Sequence, residues 1–285
     1  MQAAARQVWL VTNRSSGSND PASADTLRNH FEREGWSVGR SLCFPEEQIP
    51  DPAELERAGN PAIAIFTGDG CVNAFVSRLE GWSGAFLVLP GGTQNLLSKR
   101  LHGEAEAEEV IARIGRGAVR PVRISVIRCA AGLALADLLV GPGASWHSVR
   151  EALREGDIAA VAGHAGEALS ETTGGPGVRC TEPPLGSPDG YPLVKLMPTH
   201  RGMQVDAYHA DGIGEFLAQG WAMLRRDFRS GPHDRLGLVD RLVMGKADNS
   251  PVDVLLDGEA KQLRARAEFT LAECGIDLLA TEHGY

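Results

Sequence analysis

Three short apolar runs in the first 118 residues are each followed by a glycine-containing turn and then by a helical pattern. The runs are residues 8–12, 63–66 and 86–89, and the turns begin at Asn13, Thr67 and Pro90. Strands that alternate with helices predict βαβ units and a parallel sheet. Because such crossovers are right-handed, we expect all three turns at the carboxyl edge of the sheet, where folds of this kind bind ligands.

The pattern changes after residue 118, where short strand-like runs separated by Gly, Pro and Asp turns favour a sandwich or barrel. We expect single strands at 119–128, 236–244 and 276–280, helices at 145–154 and 216–226, and an exposed loop at 171–190. The predicted fold is therefore an α/β domain with a parallel sheet over residues 1–118 and a β-rich, sandwich-like domain over residues 119–285.

Composition excludes several classes of protein. The formal net charge of −9 argues against a nucleic-acid binder, whose footprint would be a basic face. The five cysteines are odd in number and have no CxxC spacing, which favours a reducing compartment over a zinc site or a disulfide framework. Because the sequence has neither a signal-peptide pattern nor an apolar run of roughly 20 residues, we expect a cytoplasmic protein.

The glycine-rich turns at residues 67–71 and 91–95 are suited to binding phosphate. Glycine allows backbone N–H groups to approach an anion closely, and a following helix adds the favourable end of its dipole. Asp69, between two glycines, places a carboxylate where a magnesium ion or a hydroxyl proton would be expected. Each turn alone could be an ordinary strand-to-helix connection, but three of them at one sheet edge favour a phosphate site.

Four motifs, in order, resemble those of the diacylglycerol kinase catalytic-domain family, which includes sphingosine kinases and bacterial lipid kinases. The family's Asn-Pro-x-Ser-Gly is similar to Asn13-Arg14-Ser15-Ser16-Gly17, and its Gly-Gly-Asp-Gly-Thr-x-Asn-Glu is similar to Thr67-Gly68-Asp69-Gly70-Cys71-Val72-Asn73-Ala74. Its Leu-Pro-x-Gly-Thr-x-Asn-Asp is similar to Leu89-Pro90-Gly91-Gly92-Thr93-Gln94-Asn95-Leu96, and its Asp-Gly-Glu to Asp257-Gly258-Glu259.

This resemblance implies a two-domain kinase that uses ATP and Mg²⁺. It implies that residues 1–118 bind the nucleotide, and that residues 119–285 bind the acceptor and carry the Asp-Gly-Glu motif. The implied nucleotide-binding residues are Asn13, Ser16, Gly17, Thr67, Gly68, Gly70, Cys71, Gly91, Gly92, Thr93 and Asn95. Asp257 matches the general base, Glu259 stands beside it, and Asp69 would bind magnesium or share the role of base.

The implied reaction transfers the γ-phosphate of ATP to a hydroxyl of a lipid or lipid-like acceptor such as diacylglycerol, with no more than a transient contact with a membrane surface. Two alternatives stay open. An NAD kinase-like enzyme would share the Gly-Gly-Asp-Gly loop, although the motifs at Asn13 and Asp257 fit a lipid kinase better. A catalytically inactive nucleotide- or lipid-binding protein is favoured by Ala74 and Leu96, which replace family carboxylates, and opposed by the intact acidic residues.

Overall fold

The computed structural model of the chain describes residues 7–13, 21–92, 94–141, 177–209 and 233–282. The chain forms two compact units, one of Met1–Ile124 with Glu273–Tyr285 and the other of Ser125–Ala272. The predicted boundary after residue 118 comes earlier than this division, and it leaves the C-terminal residues in the second domain. The helices predicted at 145–154 and 216–226 lie outside the described residues.

Helices and strands alternate in the first unit, whereas the described part of the second unit consists of strands. The first unit begins with β1 (Gln7–Thr12), α1 (Pro21–Arg33), β2 (Ser37–Cys43), α2 (Pro52–Arg57), β3 (Ala62–Thr67), α3 (Asp69–Arg78), β4 (Ala85–Pro90), α4 (Leu96–His102), α5 (Ala107–Gly115) and β5 (Arg120–Val122). The second unit contains β6 (Ser125–Cys129), β7 (Gly132–Ala134), β8 (Leu138–Val140), β9 (Val178–Glu182), β10 (Pro184–Leu185), β11 (Leu193–Thr199), β12 (Gly202–Tyr208), β13 (His233–Val239), β14 (Arg241–Lys246), β15 (Val252–Leu256), β16 (Glu259–Leu263) and β17 (Arg266–Glu273). The last strand is β18 (Asp277–Ala280). Among the described helices, none has both the length and the apolar character needed to cross a membrane.

The first unit is built on a six-stranded sheet with the order β2-β1-β3-β4-β18-β5. The pairs among β1, β2, β3 and β4 are parallel, as is β4 with β18, and only β5 runs antiparallel to its neighbour. Buried side chains of the central strands, such as Leu10 and Leu87, pack with Phe31 of α1 and Ile111 of α5. The predicted α/β domain with a mostly parallel sheet is therefore confirmed.

The strand predicted at 119–128 is divided between the two units. Its first part is β5, in the first sheet, and its second part is β6, in the second unit. The backbone N–H of Cys274 donates to the carbonyl of Ile124 (2.8 Å) just before the chain leaves the first unit. The single-strand prediction was wrong because an alternating pattern reports which residues are buried and not which strand is the partner.

The C-terminal strand also differs from its predicted place. β18 lies between β4 and β5, with Leu278 opposite Phe86 of β4 and Val122 of β5. Ile276 and Leu278 are fully buried there. The first sheet is thus completed by residues that follow the whole second unit in sequence.

The second unit contains two antiparallel sheets, with the orders β10-β9-β14-β17-β6-β7 and β13-β12-β11-β8-β15-β16. Its core is shared by both sheets and includes Met244 and Phe269 from the first and Val194 and Val254 from the second. This confirms the predicted β-rich, sandwich-like domain.

Two details of the second unit were predicted incorrectly. The strand predicted at 236–244 is two strands, β13 and β14, which turn at Asp240 and join different sheets. The described part of the loop predicted at 171–190 contains β9 and β10, because Gly and Pro residues there mark turns between short strands.

Candidate functional site

The β3–α3 and β4–α4 connections start side by side at the carboxyl edge of the first sheet. Thr67, at the end of β3, is in parallel register with Pro90, at the end of β4. Gly68 is the N-cap residue of α3, and Asn95 precedes α4. The sequence placed both turns correctly, each before a helical segment, but gave no bounds for α4.

Two glycines of the second turn are required by close backbone packing. A Cβ built at Gly92 would lie 2.5 Å from Cα of Gly68, and one at Gly91 would lie 2.5 Å from the carbonyl carbon of Phe66. Gly68 is different, because a Cβ there would have Cα of Gly92, at 3.9 Å, as its nearest described neighbour. Gly92 therefore fits against the first loop, whereas the described residues leave space beside Gly68.

The carboxylate of Asp69 joins the two connections. Its Oδ2 accepts the backbone N–H of Leu96 and its Oδ1 that of Leu97, both at 3.1 Å. Within the second loop, the N–H of Gly92 donates to Oδ1 of Asn95 (2.7 Å), and Nδ2 of Asn95 donates to the carbonyl of Gly92 (2.9 Å). Asn95 has a left-handed backbone with φ of 52°, a conformation that asparagine adopts more readily than most residues.

Cys71 occupies the position where the resembled family has threonine. Its backbone N–H donates to the carbonyl of Gly68 (3.1 Å) in the first turn of α3. Burial raises the pKa of the Cys71 thiol to about 11, and a hydrogen bond with the Thr67 side chain acts in the opposite direction. The thiol is therefore neutral at pH 7 and adds no charge to the loop.

The first glycine-rich turn begins at the same edge. Thr12, the last residue of β1, is opposite Phe66 of β3, so Asn13 comes next to Thr67 and Gly68 at this end of the sheet. Ser16, Gly17 and Thr93 lie outside the described residues. The remaining predicted nucleotide-binding residues are brought to the carboxyl edge of the first sheet: Asn13, Thr67, Gly68, Gly70, Cys71, Gly91, Gly92 and Asn95, together with Asp69.

Asp257 belongs to the second unit and lies in the turn of the β15–β16 hairpin. Leu256 pairs with Glu259, which leaves Asp257 and Gly258 as a two-residue loop with φ of 45° and 87°. Two positive φ angles are typical of the type I′ turn, which favours an Asp-Gly pair. The Asp-Gly-Glu motif therefore forms a β-hairpin turn between β15 and β16.

The Asp257 side chain is 5% exposed and is held by backbone donors. Its Oδ2 accepts the N–H of Leu135 (2.8 Å), and its Oδ1 accepts those of Ala136 (2.8 Å) and Asp137 (3.2 Å). Its own N–H donates to the carbonyl of Asp137 (3.1 Å). The carboxylate therefore fixes the β15–β16 turn to the segment between β7 and β8.

Glu259 differs from Asp257 although only Gly258 separates them. It is the first residue of β16, and its side chain is exposed to solvent. Of the two acidic residues in the motif, Glu259 is the one that an acceptor molecule can reach without displacing backbone hydrogen bonds.

A charged cluster beside this turn was not predicted from the sequence. Nζ of Lys195, on β11, lies 3.3 Å from Oδ2 of Asp137, and both side chains are largely buried. Asp206 of β12 lies opposite Lys195, accepts a hydrogen bond from Gln204 (2.6 Å), and is 3% exposed. Burial raises the pKa of Tyr208 to about 12, and the nearby Asp206 and Asp137 charges act in the same direction. The sequence signal was one charged residue, Lys195 or Asp206, within each of two largely apolar strands.

Comparisons with known proteins agree with this geometry. Residues 7–127 match the sequence model of the family described as diacylglycerol kinase catalytic domain. A search of curated proteins found no significant match. The crystal structure of a diacylglycerol kinase from Bacillus anthracis str. Sterne matches with a TM-score of 0.62 and 17% identity, over 98% of this chain and 98% of that one. A second crystal structure from the same organism matches with a TM-score of 0.62 and 17% identity, over 96% of this chain and 95% of the other. At this identity the structural matches establish a shared fold.

Proposed function

Because residues 7–127 belong to the diacylglycerol kinase catalytic domain family, we propose that the chain is an ATP-dependent lipid kinase. It transfers the γ-phosphate to a hydroxyl of a lipid or lipid-like acceptor such as diacylglycerol. The observation that carries the proposal is the contact between the two glycine loops, with Gly92 against Gly68, at the carboxyl edge of a parallel sheet. The reaction is expected to take place in the cytoplasm, on a lipid reached by transient contact with a membrane surface.

In this proposal the phosphates of ATP bind over residues 68–70 and 91–95. Gly68 is the N-cap residue of α3 and has no side chain with which to cap that helix. The first N–H groups of a helix lack partners within the helix, and the helix dipole favours an anion there. The open space beside Gly68 would admit a phosphate oxygen that a larger residue would exclude.

The family implies magnesium as well, and one carboxylate beside the phosphate loop fits that ion. The described residues contain no group of three or more His, Cys, Asp or Glu side chains that could hold a metal by themselves. Magnesium needs no such group, because it keeps several waters and binds through one or two carboxylates together with substrate phosphates. Asp69 would be its ligand in the loop, and the bound ion would neutralise charge on the transferring phosphoryl group.

For the general base we favour Glu259 over Asp257. The exposed Glu259 carboxylate can reach a hydroxyl group, whereas Asp257 is buried and accepts three backbone N–H groups. The acceptor oxygen would attack the γ-phosphorus, the bond from that phosphorus to the oxygen it shares with the β-phosphate would break, and the hydroxyl proton would pass to Glu259. The products are ADP and a phosphorylated lipid, and Asp257 holds the turn in place.

The test is a transfer assay with γ-labelled ATP and a panel of acceptors, namely diacylglycerol, sphingoid bases, other lipids and NAD. Label in a lipid supports the proposal, and the acceptor most rapidly labelled defines the substrate class. Label in NAD alone would instead indicate an NAD kinase. ATP binding without transfer to any acceptor would indicate a binding protein on the same scaffold.

A further inference from the structure

The Asp69 carboxylate bonds to the start of a helix other than the one in which it lies. Asp69 is the first residue of α3, yet its two oxygens accept the N–H groups of Leu96 and Leu97, which begin α4 and lie 27 and 28 residues further along the chain. We propose that Asp69 is a positioning residue, which holds the start of α4, and with it the second glycine loop, in the arrangement that binds the nucleotide phosphates. This inference rests on the nucleotide site of the proposed function and adds a role that needs no metal.

α4 depends on a cap from outside its own segment. It has seven residues, a length at which an isolated helix is marginal in water. The residue before it, Asn95, directs its side chain back to Gly92 and makes no capping bond to α4. Because the first N–H groups of a helix need acceptors and favour a negative charge, a carboxylate bonded to two of them stabilises this start.

The position of α4 determines the position of the second loop. Asn95, whose two hydrogen bonds with Gly92 close the loop, is joined directly to Leu96, which Asp69 holds. The steric contact between Gly92 and Gly68 limits how closely the loops approach, and the Asp69 bonds set where the loop ends and the helix begins. A change at Asp69 should therefore disturb the second loop even when no metal is present.

The first experiment measures backbone amide exchange by NMR in the full chain without nucleotide or metal. In Asp69→Ala, and in Asp69→Asn should the alanine variant fold poorly, we expect the amides of Leu96 and Leu97 to exchange at least tenfold faster than in the wild type. The matched control is Asp51→Ala, because Asp51 caps its own helix through the N–H of Glu54 (2.8 Å) and alanine cannot replace that bond. That control should speed exchange at Glu54 and leave Leu96 and Leu97 unchanged.

The second experiment measures ADP affinity by calorimetry in excess EDTA and in excess Mg²⁺. A positioning role predicts that Asp69→Asn weakens ADP binding by about tenfold under both conditions, the size of effect expected when a helix cap is lost. A role as metal ligand alone predicts a loss in Mg²⁺ and none in EDTA.

Two results would overturn the inference while leaving the kinase proposal intact: unchanged exchange at Leu96 and Leu97, or a loss of ADP affinity confined to the Mg²⁺ condition. Failure of the proposed function has a different signature, which is a wild-type protein that binds neither ADP nor ATP under any condition. In that case the positioning role in nucleotide binding is refuted along with it.

Discussion

Asp69 in the first unit and Asp257 in the second make the same kind of contact in different surroundings. Each carboxylate accepts backbone N–H groups from a segment far away in sequence, two in the case of Asp69 and three in that of Asp257. Asp69 is partly buried and adjoins Gly68, beside which the described residues leave space, whereas Asp257 is 5% exposed and is separated only by Gly258 from the exposed Glu259.

The difference in burial distinguishes a residue that only holds a loop in place from a residue that could also contact a ligand. In the first unit, the residue that organises the loops stands among the residues that would bind phosphate. In the second unit the two tasks fall on two acids, with Asp257 holding the turn and Glu259 available to an acceptor. The family motif read from sequence indicated Asp257 as the base, whereas the burial and the hydrogen bonds of the two acids favour Glu259 for that role.

The largest effect is expected from Glu259→Gln. A positioned base contributes about 10²–10⁴-fold to rate, so phosphoryl transfer should fall by that range while ADP affinity changes by less than about twofold. The assay is labelled transfer to the best acceptor in the panel, with Glu268→Gln as the control because Glu268 is also an exposed glutamate of the second unit. If both variants retain wild-type turnover, Glu259 is not the base.

Asp257→Asn should lower the free energy of unfolding. Asparagine tolerates the positive φ at this position, but its side chain can replace only one of the two acceptor oxygens and leaves buried N–H groups without partners. Because each buried hydrogen bond to a charged group contributes roughly 1.5–3 kcal/mol, we expect the free energy of unfolding to fall by about 3 kcal/mol. Denaturant titration measures this.

The matched control for Asp257 is Asp248→Asn. Asp248 also accepts a backbone N–H, that of Ser250 at 3.0 Å, but it does so at an exposed turn. Its replacement should lower the free energy of unfolding much less than that of Asp257, since exposed polar groups can bond to water instead. Equal effects at the two positions would mean that burial of the Asp257 carboxylate does not matter.

The next prediction concerns the pH dependence of stability and the first unit. His102 of α4 lies there beside Thr281, near the C-terminal end of the chain. Its ring is fully buried, with Nδ1 3.0 Å from Oγ1 of Thr281, and burial lowers its pKa to about 4 from an ordinary value of 6.5. The unfolded chain therefore binds more protons between these values, so the His102 contribution to stability is complete above pH 6.5 and is lost as the pH falls toward 4.

Linkage from the two pKa values gives a loss of about 2 kcal/mol in the free energy of unfolding between pH 7.5 and pH 5. Denaturant titrations at both pH values should show this loss in the wild type and a smaller one in His102→Gln. His30→Gln, at a partly exposed histidine of α1, should show the same loss as the wild type. An identical pH dependence in the wild type and in His102→Gln would assign the effect to other groups.

The smallest effect is expected from Gly68→Ala. Its backbone, with φ of −78° and ψ of 165°, is one that alanine adopts freely, and a Cβ there meets no described atom closer than 3.9 Å. The methyl group should leave stability within about 1 kcal/mol of the wild type and should weaken ADP binding by about tenfold, or 1.4 kcal/mol. Gly92→Ala, by contrast, should destabilise the protein because its Cβ would meet the Gly68 backbone. Unchanged ADP affinity in Gly68→Ala would remove Gly68 from the phosphate site.

The sequence was sufficient to predict what depends on local pattern. Buried apolar runs identified the central strands of the first sheet, and glycine turns at their ends identified the edge where the candidate site lies. Asp51 followed by Pro52 is a local pattern typical of a helix start, and the Asp51 side chain accepts the N–H of Glu54 at the beginning of α2. These features depend on residues a few positions apart, where spacing carries the signal.

The contacts of the Asp69 and Asp257 carboxylates could not be predicted from the sequence, because their donors are backbone N–H groups far away along the chain. Leu96 and Leu97 are apolar, so nothing in their side chains indicated that their N–H groups bind Asp69. The contact of Asp257 with Leu135 spans 122 residues and gave no sequence signal either. The start of α4 was not located for the same reason, because the carboxylate that bonds to its first N–H groups comes from another helix.

The return of β18 to the first sheet has a consequence for the order of events during synthesis. A ribosome makes all of Ser125–Ala272 after β4 and before it adds the strand that lies beside β4. Domains generally fold as units while the chain emerges, so the later unit, which is continuous in sequence, can complete its sandwich while the earlier sheet still has an unpaired edge. The nascent N-terminal sheet must therefore stay soluble with β4 uncovered until translation reaches Leu278.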